Sequence, residues 1–91
     1  MLLATQYTFK GDQSPESVKA LLAVFAELGP TEGEIAHYVF ADGRGGLVIA
    51  ETDSIQEAYE SSLRYQQWMD MEMTPILTIA DAMPSIGTVF G

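Results

Sequence analysis

The sequence predicts an α+β domain of the ferredoxin-like type, with order βαββαβ and a four-stranded antiparallel sheet carrying two helices on one face. Three observations predict it. Apolar, β-branched runs alternate with segments of helical periodicity in the order strand, helix, strand, strand, helix, strand. Residues that start and stop helices stand at the breaks. The middle two apolar runs are joined by the glycine-rich Asp42-Gly-Arg-Gly-Gly46, as in a hairpin.

Leu2 to Phe9 reads as the first strand, closed by Lys10-Gly11-Asp12. Ser14-Pro15-Glu16 then supplies a helix N-cap, a proline whose missing N–H costs nothing at the first helical position, and an acid for the positive end of the dipole. Val18, Leu21, Leu22, Phe25 and Leu28 form one apolar stripe, and Gly29-Pro30 stops the helix. Glu34 to Ala41 and Leu47 to Glu51 are the hairpin strands. Asp53 or Ser54 caps a second helix carrying Ile55, Ala58, Tyr59 and Leu63 as far as about Tyr65. Met71 to Ile79 is the last strand, and Pro75 within it points to a sheet edge or a bulge. The domain is expected over residues 1–80, with an apolar tail at 81–91 that packs on the domain or on a partner.

Charge narrows the function classes. Thirteen acids face only Lys10, Lys19, Arg44 and Arg64, for a net charge of −9. Nucleic-acid backbones are held by clustered cations, so this composition speaks against nucleic-acid binding. A DNA mimic would need its acids ranked on one face, and here they are scattered. No run approaches the ~20 apolar residues of a membrane span, no signal peptide is expected, and a cytoplasmic protein is the reading. Cysteine is absent, which leaves dense packing or oligomerisation to stabilise a small chain. Apolar residues fall on both faces of the strands: Leu3, Tyr7 and Phe9 alternate with Leu2 and Ala4, and Val48 with Leu47 and Ile49. A sheet with helices on one side and water on the other would be polar on the second face. The expectation is a homodimer packed through that face.

The pattern resembles the dimeric α+β barrel superfamily, in which two ferredoxin-like subunits pack their sheets together. The residues that carry it are "GEIAHYVFADGRGGLVIAETDSIQEAY" followed by "QQWMDMEMTPILTIAD", with the His-bearing strand, Glu51-Thr52-Asp53, Trp68-x-Asp70 and Met73-Thr74-Pro75. Within that superfamily the stretch is similar to small bacterial and phage proteins described only as a domain of unknown function. Characterised superfamily members include cofactor-independent quinol monooxygenases, haem-degrading monooxygenases and lactone isomerases, whose cavity lies between sheet and helices. The haem-degrading enzymes pair a first-strand Asn with a Trp and a His of the second helix. Here the first strand offers Gln6 or Tyr7, Trp68 follows the helix, and the axial-ligand position has no histidine. The resemblance implies the barrel fold and dimer; the empty axial-ligand position speaks against haem degradation, and no cofactor is expected.

His37 is the only histidine and hence the natural proton shuttle near neutral pH. Glu51 is the candidate partner. A five-residue hairpin loop sets His37 opposite Glu51, and a four-residue loop with Ala41 opposite Gly46 sets it opposite Ala50. Composition leaves both registers open, and a packed strand histidine is the plainer alternative. Gln6, Tyr7 and Tyr38 are candidate polar walls, Tyr65 and Trp68 candidate stacking surfaces, and Arg64 a candidate anion holder. Tyr65 and Trp68 could equally close the core. One histidine with Glu51 and Glu72 makes a poor metal set, so no metal is expected. The glycines of the hairpin read as turn residues needing positive φ, not as a phosphate loop. Two functions follow: binding or transforming a small hydrophobic or aromatic molecule without a cofactor, in the manner of a monooxygenase or isomerase, or a non-catalytic interaction module using the acidic surface or the tail.

Overall fold

The computed structural model describes residues 1–11 and 13–91; Asp12, expected in the turn after the first strand, lies outside them. The elements are β1 (Leu2–Phe9), α1 (Pro15–Leu28), β2 (Glu34–Val39), β3 (Gly45–Glu51), α2 (Ile55–Tyr65), β4 (Met69–Ile76) and α3 (Ile79–Phe90). The strands form one antiparallel sheet in the order β2-β3-β1-β4, the ferredoxin-like arrangement. Pro75 lies on β4, an edge strand, where its missing N–H breaks no interior ladder. The caps are those expected. The Ser14 and Ser54 side chains accept from the backbone N–H groups of Ser17 and Glu57, three residues into each helix.

Register assigns the two faces. Leu3, Thr5 and Tyr7 of β1 stand opposite Ala50, Val48 and Gly46 of β3, and opposite Pro75, Met73 and Met71 of β4. This face meets the helices: Tyr7 and Met69 cluster with Leu21 of α1, Tyr65 of α2 and Trp68, all buried. The other face carries Leu2, Ala4, Leu47, Ile49 and Ile76, all partly exposed, together with Glu51, Asp70 and Glu72, and among the described residues the buried cluster has no member on it.

The hairpin differs from both registers considered above. His37 pairs with Val48, Tyr38 with Leu47 and Val39 with Gly46. The turn closes earlier, with the Phe40 N–H donating to the Gly45 carbonyl and the Arg44 N–H to the Asp42 carboxylate. Only Gly43 of the turn glycines has positive φ, at 75°. Gly45 and Gly46 belong to β3 and serve another purpose.

A second difference lies at the C-terminal end. Residues 79–90 are helical with Pro84 inside, capped by Thr78. The expected strand to Ile79 stops at Ile76. Interior proline is the residue that most discourages a helical reading, and here the helix forms around it.

Candidate functional site

Three side chains meet on the helix face of the sheet. The Tyr7 hydroxyl lies 2.7 Å from His37 Nε2, and Glu34 Oε1 lies 3.5 Å from His37 Nδ1, in ion-pair range. The strands bring them together by two local devices. Glu34 and His37 are three apart, which in a regular strand would send them to opposite faces. Between Glu34 and Ala36 the ladder is bulged, so that Glu34 pairs with Ala50 and Ala36 with Ile49. The bulge returns Glu34 to the face of His37, the re-aiming that bulges commonly perform. The second device is Gly46. Tyr7 and His37 sit on β1 and β2, with β3 between them. A Cβ at Gly46 would run into the Tyr7 ring and hydroxyl and the Tyr38 carbonyl. Bare backbone there lets the Tyr7 phenol cross β3.

Electrostatics keep the phenol protonated. Burial, with Glu34 adding to it, raises the Tyr7 pKa above the ordinary phenol value. With Glu34 facing Nδ1, the tautomer that carries the Nδ1–H leaves Nε2 free to accept from the phenol. The Tyr7 and His37 rings meet edge to face, with centroids 5.7 Å apart.

The group borders a cleft. A cavity of about 340 Å³ is lined by Tyr7, His37, Glu34, Phe25, Tyr65 and Met71, among others. A second lobe of about 420 Å³ shares Val48, Ser61, Tyr65 and Met71 with it and is lined in addition by Leu3, Met73 and Arg64. Leu21 of α1 and Tyr65 of α2 join Trp68 in the buried cluster, and Gly29, Pro30 and Thr31, which follow α1, line both lobes. The Phe25 and Tyr65 rings lie 5.1 Å apart in the wall. Burial likewise raises the Tyr65 phenol, an effect partly offset by the Arg64 charge.

Of the residues singled out from sequence, His37, Tyr7 and Tyr65 share the first lobe and Arg64 borders the second. Trp68 is 5 % exposed and belongs to the core, where its indole N–H has no partner. Gln6 and Tyr38 stand on the uncovered face, pointing away from the cleft. Glu51 is not brought to His37: it pairs with Leu2, and its carboxylate accepts from the N-terminal ammonium of Met1. Glu34 occupies the role expected of Glu51. Sequence reasoning missed Glu34 because a bulge has no signature in the alternation, and Gly46 because its neighbours made it look like turn. A glycine inside a strand is itself a sign of close approach. Among the described residues no three metal-ligating side chains converge, and no helix is long and apolar enough to cross a membrane.

The family model for a Domain of unknown function (DUF3303) matches residues 1–90. The chain belongs to this family. The match takes in the whole of α3. No curated protein matches the chain. The DUF3303 description carries no activity, and what the Tyr7–His37–Glu34 group does must be argued from its chemistry.

Proposed function

We propose that this protein is a cytoplasmic homodimer that binds a small hydrophobic or aromatic molecule in the cleft and moves a proton on it without a cofactor. The observation that carries the reading is the Glu34–His37–Tyr7 chain at the edge of a cavity of about 340 Å³. That volume lies in the range of small-molecule sites. The lining supports an apolar guest: Phe25, Val48, Met69 and Met71 surround a few polar groups.

The chemistry follows from the hydrogen bonds. Tyr7 Oη would take a proton from an acidic C–H or O–H of the guest while passing its own to His37 Nε2. The imidazolium formed would be stabilised by Glu34 at Nδ1. Reversing both transfers returns the proton to another atom of the guest, which is an isomerisation. A homodimer through the uncovered sheet face is supported by Leu2, Ala4, Leu47 and Ile49 on that face.

Exchange of the α-hydrogens of 2-tetralone in deuterated water tests the reading, since each exchange passes through the enolate. The expected result is a saturable acceleration by the wild type that falls at least about tenfold in Tyr7→Phe and in His37→Gln, positioned acid–base groups being worth about 10²–10⁴. No acceleration by the wild type, or unchanged exchange in both variants, overturns it.

A further inference from the structure

Helix α3 leaves the body of the molecule. Eight residues of β4 span about 26 Å and twelve helical residues about 18 Å. Laid end to end with their two-residue link they approach the 55 Å long axis of the chain, against 27 and 17 Å in the other directions. The radius of gyration is 15.8 Å, where a compact chain of this length has about 12 Å. Ile79, Met83, Ile86 and Phe90 recur at helical spacing and are 72, 54, 44 and 85 % exposed.

Such a helix has no means of holding itself in water. Isolated helices below about 12–15 residues are marginal even when rich in alanine. This one has 12 residues and contains Pro84, which donates no hydrogen bond, and Gly87. Its stability must come from something it docks on. Since the body of its own chain does not receive it, the surface lies on another molecule.

We infer that α3 is an arm that docks on a second copy of this chain, completing the interface begun by the uncovered sheet face. This rests on the homodimer part of the proposed function and is independent of the proton relay. Area and charge both select a second copy. A compact 9.9 kDa chain exposes about 5,200 Å², and this one exposes 6683 Å². The excess of roughly 1,500 Å² per protomer is what an obligate homodimer covers, roughly 1,000–2,500 Å² on each side. Asp81 is the one charged residue between Leu77 and Gly91, in a chain of net charge −9. A basic partner would be met by the acids; a nearly neutral arm suits contact with another acidic copy.

Sedimentation of the full-length chain tests the inference, with far-UV circular dichroism as the check of folding. The wild type is expected to dimerise at about 10–100 µM or below. Ile86→Asp combined with Phe90→Asp, both exposed in the single chain, should weaken the dimer at least tenfold, and Ile49→Lys on the sheet face should do the same. If the sheet-face variant dissociates and the α3 variant dimerises like the wild type, the arm is wrong and the sheet-face dimer stands. A wild type that stays monomeric at that concentration overturns both and leaves α3 to a different protein.

Discussion

At the scale of single residues, the molecule turns on Tyr7. Its hydroxyl is the only hydrogen bond the His37 ring receives among the described residues, and its ring contributes to the buried cluster. Sequence reading reached both residues, one as the only histidine and the other as a candidate polar wall on the first strand. It could not join them, because their contact crosses β3 at a point set by register and by Gly46. The phenol's environment has a consequence for stability. Burial first, and the charge of Glu34 second, raise the folded pKa of Tyr7 above its ordinary value of 10.0. The folded chain then holds this proton more tightly than the unfolded chain does. The resulting stability is fully present below about pH 10 and is lost as the pH rises through the folded pKa. Denaturant unfolding followed into the alkaline range should show stability falling from that point. Tyr7→Phe, which has no phenol to ionise, should fall less steeply, with a residual slope from Tyr65, whose pKa burial also raises. An identical slope in Tyr7→Phe would contradict the assignment.

At the scale of elements, the first two helices and the four strands were legible because their signals are local. Ser14-Pro15, Gly29 and Ser54 announce helix ends through their own chemistry, and Pro75 announces an edge. The register of the β2–β3 hairpin and the helix α3 were not, for different reasons. Three candidate loop glycines allow the turn to close at several places, and the bulge at Ile35 leaves no trace in apolar alternation. Pro84 argues against a helix that forms all the same. The position of Gly46 inside β3 yields a prediction. Gly46→Ala keeps the strand's φ within reach of alanine, yet its methyl would meet the Tyr7 hydroxyl and the Tyr38 carbonyl. One must move, and the Tyr38 carbonyl is backbone, so the phenol gives way. The expected loss is about 1–3 kcal/mol, the usual cost of overpacking, together with the Tyr7–His37 hydrogen bond. The denaturation midpoint reads the first, and the His37 ring nitrogen shifts in NMR read the second. A variant with unchanged ring shifts would show that the phenol reaches His37 by a path that Gly46 does not open.

At the scale of the whole molecule, two quantities readable from the sequence pull against each other. The apolar fraction of 47 % asks for more burial than one chain of this size provides, and the net charge of −9 pushes copies apart. The acids are spread over the body and sparse on the arm: Glu16, Glu27, Glu32, Glu57 and Glu60 lie on or near α1 and α2, Glu51, Asp70 and Glu72 share the uncovered sheet face with Leu2, Gln6 and Thr8, and α3 carries only Asp81. Sequence reading anticipated an unmet apolar surface from the two-faced strands, but placed no helix in it. A dimer of two such chains must bring together a total charge twice that of one. At about 0.01 M salt the screening length is about 30 Å and the repulsion spans the whole assembly, whereas at about 0.15 M it shrinks to about 8 Å. The melting temperature should therefore rise with protein concentration, as linkage to dimerisation requires, and rise again on adding salt at fixed concentration. Thermal unfolding at two protein concentrations and two ionic strengths checks both. The sign of the salt effect discriminates sharply: an acidic surface built to engage a basic partner forms complexes that salt weakens, whereas association of like-charged copies, through nearly neutral arms and a sheet face that itself carries Glu51, Asp70 and Glu72, is strengthened by it. A melting temperature indifferent to concentration, or lowered by salt, would count against self-association.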